Sequence, residues 1–189
     1  NPIEQEGTYP LPEAQMDRFM LKVVVGYPTA EEELIILDRM ASTRPQLTID
    51  SVVKPEEISA YQALVNTIHV DALVRDYIVR LVVATREAAA GSGVAPELKR
   101  LVRIGASPRA TISMIEGARA LALLRGRSYV LPADVIDLVA DVLRHRLVLS
   151  YEALSESITA DDIIKQILRA VPAPEKLLES YAQEREFAA

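Results

Sequence analysis

The sequence predicts a mainly α-helical protein with one strand near its start. Three observations predict it. Apolar residues recur at the helical period, most clearly at Val70, Leu73, Val74, Tyr77, Ile78, Leu81 and Val82. Helix-start signals punctuate the chain: the capping-box patterns Thr29-Ala-Glu-Glu32 and Thr159-Ala-Asp-Asp162, Ser107-Pro108, and Pro132. One compact β-branched run stands apart, Val23-Val24-Val25, stopped by Gly26 and Pro28.

Taken in order, Leu11 to Arg18 reads as a short helix with Pro12 in its first turn and Glu13 behind it. Phe19 to Val25 reads as a strand apolar on consecutive positions, as in a parallel sheet buried on both faces. Such a strand needs sheet partners from elsewhere. Thr29 then caps a helix to about Ser42 with Leu34, Ile35, Leu37 and Met40 apolar. A linker over Arg44 to Lys54 holds a possible short strand at Leu47 to Val53. Pro55 opens a helix carrying Ile58, Tyr61, Leu64 and Val65 on one face.

The longest element runs from Val70 to Ala90 and is ended by Gly91-Ser-Gly93. Ser107 caps a helix to about Arg125. Pro132 opens the next, with Val135, Ile136, Leu138, Val139, Val142 and Leu143 as its buried stripe. Leu147-Val-Leu149 is a strand or an extended connector. Thr159 caps the last helix, which buries Ile163, Ile164, Ile167 and Leu168 before Pro172 and Pro174 stop it. The tail from Glu175 is charged and offers few core positions.

Composition narrows the function classes. The chain has 189 residues, half of them apolar, enough for one substantial core or two small ones. No apolar run reaches membrane-spanning length, and no secretory leader pattern opens the chain. A soluble, cytoplasmic protein without membrane attachment is therefore expected. Without cysteine there is no thiolate or disulfide chemistry, and two distant histidines make no metal-ligand cluster.

The net charge of −6 is unevenly spread. Between Glu97 and Arg127, seven basic residues face only Glu97 and Glu116, so this stretch carries +5 and the remainder −11. Such a segment suits a polyanion such as a nucleoside triphosphate, a nucleic acid or an acidic neighbour. Charge alone favours the plainer alternative, a solvated helix face paired with acidic helices nearby.

Three strings carry most of the information about function. The first is Asn1-Pro-Ile-Glu-Gln-Glu-Gly-Thr-Tyr-Pro-Leu-Pro-Glu-Ala-Gln-Met-Asp-Arg-Phe19. The second is Gly105-Ala-Ser-Pro-Arg-Ala110, and the third Leu143-Arg-His-Arg-Leu147 with the residues to Ala153. Together they resemble the MoxR family of AAA+ ATPases, over Asn1 to about Pro174. Met16 departs from the leucine usual in that family.

The resemblance implies the last helix and strand of an α/β P-loop core followed by a helical-bundle AAA+ lid. On that basis residues 1–28 would be the end of the core and 29–106 a helical linker or insert. Residues 107–174 would be the lid bundle and 175–189 a charged tail. Asn1 stands where the family keeps its sensor 1 residue, which orients the attacking water. A neutral amide suits this because it both donates to phosphate oxygen and accepts from water. Arg18 stands where the family keeps its arginine finger. A guanidinium there can cross a subunit boundary and neutralise charge on a transferring phosphoryl group. Arg109 stands at the sensor 2 position, where a capped helix start and a bidentate donor meet the nucleotide phosphates, in the same subunit or a neighbour's.

The family further implies ATP and Mg²⁺ as ligands, ring assembly (a hexamer), and chaperone-like remodelling or activation of partner complexes. Proteins with von Willebrand factor A domains are the expected co-workers. No G-x-x-x-x-G-K-[ST] phosphate loop occurs in the chain, so by itself it is expected to hydrolyse no ATP. A helical protein-interaction module without ATP chemistry is the second reading. A DNA-directed AAA+ relative ranks last, since the chain is acidic and lacks aromatic-basic interleaving.

Read on their residues alone, the sites have plainer alternatives. Asn-Pro is an ordinary turn, Arg18 a helix-end cation paired with Asp17 or Glu13, and Arg109 a common helix-start arginine. His69 and His145 read as structural or surface groups, and Arg144 to Arg146 as cations at a helix C-terminus.

Overall fold

The computed structural model describes residues 11–43 and 48–174. The chain divides into two compact units, Val23–Leu64 and the remainder on either side of it.

The smaller unit holds α2 (Ala30–Met40) and most of α3 (Pro55–Val65). Thr29 caps α2 as its sequence demands: its Oγ1 accepts from the Glu32 N–H while Glu32 Oε2 accepts from the Thr29 N–H at 2.8 Å. The apolar residues Leu34, Ile35, Leu37, Ile58 and Tyr61 are exposed. The strand considered at Leu47 to Val53 does not form over residues 48–53, and Leu47 lies outside the described residues.

The larger unit contains α1 (Glu13–Met16), α4 (Ala72–Ala90), a 3-10 turn (Pro96–Arg100), β1 (Val102–Ile104) and α5 (Pro108–Leu124). After these come α6 (Pro132–Leu143), β2 (Val148–Leu149), α7 (Tyr151–Ser155) and α8 (Ala160–Ala170). Its centre is α4, which packs on α5, α6, α8 and β1, while α5 packs on α6 and α6 on α8. Val74, Tyr77, Ile78, Leu81 and Val82 of α4 are fully buried, as their spacing requires. Asp71 caps α4, and Gly91 closes it in the left-handed conformation at φ 75°.

Helix α5 buries a face of small residues, Ala110, Ser113, Gly117, Ala118 and Ala122, around Met114. Small side chains let neighbouring backbones and side chains come close. A Cβ added to Gly117 would lie 3.3 Å from Leu138 Cδ1 and 3.4 Å from Met20 Cε. On α6, Val135, Val139, Val142 and Leu143 are buried, but Ile136 faces out at 42% exposure. Ile163, Ile164 and Ile167 of α8 complete the core, with Leu168 partly buried against it.

Two expectations change here. The segment Phe19–Val25 forms no strand. A strand needs a neighbour to complete its hydrogen bonds, and these residues instead meet side chains and a helix terminus: the Lys22 N–H donates to the Asp141 carbonyl at 2.8 Å. The helix expected to reach Arg18 ends at Met16, leaving Asp17 and Arg18 in the turn that follows. The strand considered at Leu147–Leu149 does form, as β2, paired antiparallel with β1 through Val102–Leu149 and Ile104–Val148 with a bulge between them.

Candidate functional site

The start of α5 is fixed from below by α4. Thr85, fully buried, accepts the Ala106 N–H at 2.9 Å and donates to the Val82 carbonyl at 2.7 Å. Arg86 Nη1 donates to the Ala106 carbonyl at 3.1 Å. Gly105 lies so close that an added Cβ would be 2.5 Å from the Thr85 carbonyl carbon and oxygen. From this anchored point Ser107 caps α5, its Oγ accepting the Arg109 N–H at 3.2 Å, with Pro108 in the first turn.

Arg109 therefore projects from the first turn of α5, exposed to solvent. Its Nη1 donates to Asp17 Oδ2 at 3.0 Å. Ser107 Oγ reaches both Asp17 carboxylate oxygens at 2.9 Å. Burial pushes the Asp17 carboxyl up, but hydrogen bonds from Arg109 and Ser107, with the charge of Arg146, outweigh it and hold it below its ordinary value.

Arg146 is the residue that sequence reasoning missed. Its side chain is 1% exposed. Nε donates to Asp17 Oδ1 at 3.2 Å, and Nη2 to the carbonyls of Asp17 at 3.1 Å and Phe19 at 2.6 Å. Nη2 also meets Ser113 Oγ at 3.2 Å, while Nη1 donates to the carbonyls of Met20 at 3.2 Å and Val142 at 2.5 Å. Only the Val142 contact is the helix C-terminal role expected of it. The one signal in the sequence is its setting, the last residue of Arg144-His145-Arg146 at the end of an apolar helix and just before Leu147-Val-Leu149.

Its neighbours extend the same clasp. His145 Nε2 donates to the Phe19 carbonyl at 3.0 Å, and Nδ1 is buried without a partner among the described residues. Burial lowers the His145 pKa, and the nearby charge of Arg146 acts in the same direction. Arg144 Nη1 donates to the Lys22 carbonyl at 2.5 Å and also pairs with Asp141. Residues 17–22 are thus strapped to α5 and α6.

Arg18 sits on this strap. Its N–H donates to the Gln15 carbonyl at 3.1 Å, and the residue is exposed. The two carboxylates that its sequence neighbourhood offered are engaged elsewhere: Asp17 with Arg109 and Arg146, Glu13 with Arg103 at 3.1 Å. Arg18 follows Asp17 in the chain, and Asp17 is the carboxylate that Arg109 reaches. Asn1 lies outside the described residues.

The basic stretch from Glu97 to Arg127 is largely paired with acidic neighbours. Arg100 bridges Glu152 at 2.8 Å and Glu156 at 2.7 Å, and Arg125 joins Asp134 at 2.7 Å and Asp137 at 2.6 Å. Arg127 reaches the same Asp134, which is fully buried and also accepts the Leu131 N–H at 2.8 Å. Internal pairing accounts for most of this charge. No described helix is long and apolar enough to cross a membrane.

Comparison with known proteins agrees with the geometry. Residues 97–167 match the AAA lid domain, and residues 1–21 match the ATPase family associated with various cellular activities. The chain is 49% identical over 185 residues to chaperone MoxR1 of Mycobacterium tuberculosis, covering 93% of this chain and 45% of that protein. The chain is homologous to the MoxR-family AAA+ ATPases. Protein MoxR of Paracoccus denitrificans is 32% identical over 185 residues, covering 92% of this chain and 54% of that protein. A crystal structure of a candidate ATPase from Cytophaga hutchinsonii superposes with a TM-score of 0.84 at 37% identity, covering 93% of this chain and 52% of the other. The chain spans about half the length of the curated relatives it matches. Within the MoxR family, the mainly helical architecture found here is that of the AAA+ lid.

Proposed function

We propose that this chain is the C-terminal part of a MoxR-type ATPase that couples ATP binding and hydrolysis to chaperone-like remodelling or activation of partner complexes. The observation that carries the proposal is the Asp17 turn, in which Asp17 accepts from the α5 arginine Arg109 and the next residue, Arg18, is exposed. Arg109 suits a nucleotide phosphate: it is an exposed guanidinium in the first turn of a capped 17-residue helix, where the dipole favours an anion. Arg18 suits a trans-acting role because it projects into solvent from an anchored turn. Asn1 would orient the attacking water.

ATP is the substrate in this reading, held mainly by a phosphate loop in the part of the full-length protein outside this chain. Among the described residues no group of three His, Cys, Asp or Glu side chains is placed to hold a metal ion. In the same reading Mg²⁺ is bound mainly by that part as well. Residues 1–28 would close the ATP-binding core, 29–106 link it onward, and 107–174 form the lid. Hexameric rings in the cytoplasm, working with von Willebrand factor A domain proteins on a client complex, complete the proposal.

Steady-state ATP hydrolysis by the full-length protein tests it. Arg18→Ala should lower kcat by about three orders of magnitude or more, and Arg109→Ala should weaken ATP binding. The chain by itself should show no magnesium-dependent turnover. A wild-type rate in Arg18→Ala, or turnover by the isolated chain, would refute the respective claim.

A further inference from the structure

We infer that Arg146 is the positioning residue for Arg18, setting the turn from which Arg18 projects and referring it to helices α5 and α6. The inference rests on the reading of Arg18 as the group that acts on the transferring phosphoryl.

An arginine finger works by placement. Its rate effect depends on bringing a charge within bonding distance of a developing charge, and an error of about 1 Å can cost about 100-fold. Arg18 is exposed, so its own side chain contributes little to fixing the turn. The residues around it are fixed. The carbonyls of Asp17, Phe19 and Met20 all accept from one guanidinium, that of Arg146. The Asp17 side chain accepts from it as well. Residues immediately before and after Arg18 are thereby held by a single rigid plane.

That plane is itself tied down. Nη1 reaches Val142 in the last turn of α6, and Nη2 reaches Ser113 on the buried face of α5. Position 146 thus connects the two lid helices that pack on each other to the turn bearing Arg18. His145 and Arg144 support the same segment further along, at the carbonyls of Phe19 and Lys22.

A lysine could keep the charge but not the reach. Its three donors radiate from one nitrogen, whereas the guanidinium offers donors along a rigid fork. Burying that fork is costly unless its donors are satisfied. Here each of its nitrogens meets an acceptor, and most of those acceptors belong to residues 17–20. A cation serving only the end of α6 would remain at the surface.

The experiment is a double-mutant cycle on ATP hydrolysis by the full-length protein, using Arg18→Ala, Arg146→Lys and the pair. Arg146→Lys should lower kcat by about 100-fold and leave KM for ATP within about twofold. Because Arg146 acts through Arg18, the double variant should be no slower than Arg18→Ala alone. Losses that multiply, or an Arg146→Lys enzyme at the wild-type kcat, would overturn the inference. A wild-type rate in Arg18→Ala would instead overturn the reading of Arg18 on which it rests. Should Arg146→Lys fail to fold, Ser113→Ala removes one acceptor and should cost about fivefold in kcat. That loss should vanish in the Arg18→Ala background; its persistence there would overturn the inference.

Discussion

Asp17 and Arg146 meet at 3.2 Å across 129 residues of chain. The contact closes a long loop at a position that no local pattern marks. The same carboxylate also accepts from Arg109 and Ser107, so one short side chain serves the start of α5 and Arg146 just beyond the end of α6.

Replacing Asp17 by asparagine should destabilise the chain by about 1.5–3 kcal/mol, the usual worth of hydrogen bonds to a charged group. Urea unfolding checks this. The pH dependence follows from its depressed pKa in the folded state. The Asp17 contribution is complete above the ordinary aspartate value of about 3.9. It is lost as pH falls through the lower folded value. Below about pH 4, stability of the asparagine variant should fall less steeply than that of the wild type.

His145 should titrate below the ordinary histidine value of about 6.5. Its neutral form should carry the proton on Nε2, facing the Phe19 carbonyl. Protonation would place an N–H at the buried Nδ1, which has no acceptor among the described residues. Since the folded pKa is the lower one, its stabilising share is whole above about pH 6.5 and fades as pH falls through the folded value. Nitrogen NMR of the ring gives the tautomer and the titration. A ring pKa above that ordinary value would refute the prediction.

Gly105→Ala should cost about 1–3 kcal/mol or more through overpacking. The new Cβ would sit 2.5 Å from the Thr85 carbonyl and 2.6 Å from the Arg86 nitrogen, both backbone atoms that cannot swing aside. Thermal unfolding of the variant measures it. A melting temperature equal to the wild type would show that α4 and α5 can separate freely.

Thr85→Val keeps the shape of the side chain but removes its oxygen. The buried Ala106 N–H would lose its acceptor, at about 1–3 kcal/mol. Thr85→Ser retains the hydroxyl and should be the milder of the two. Denaturant midpoints of both variants test the ordering.

Much of the fold was legible because its signals are local. Thr29, Ser107 and Thr159 each cap a helix through an oxygen two or three residues from the N–H it accepts. The apolar spacing of α4 reports its buried face, except at Leu73, which is exposed. Strands β1 and β2 are three and two residues long, too short for an alternating pattern to emerge. Val23 to Val25 carried a strong strand signal, yet propensity alone supplies no partner for the backbone. The place of Arg109 in the first turn of α5 was legible from Ser107-Pro108, while its phosphate role is implied only by the family resemblance. Arg146 was not, because its main acceptors are carbonyls on the far side of the chain, and a carbonyl leaves no mark in the residue types.

The small-residue face of α5 has a mechanical consequence. Alanine and glycine have no rotamers to exchange, so Ala110, Gly117, Ala118 and Ala122 cannot absorb a displacement by repacking side chains. Along that face only Ser113 and Met114 have rotamers to exchange, so α5 is held against its neighbours mainly by the close approach of backbone.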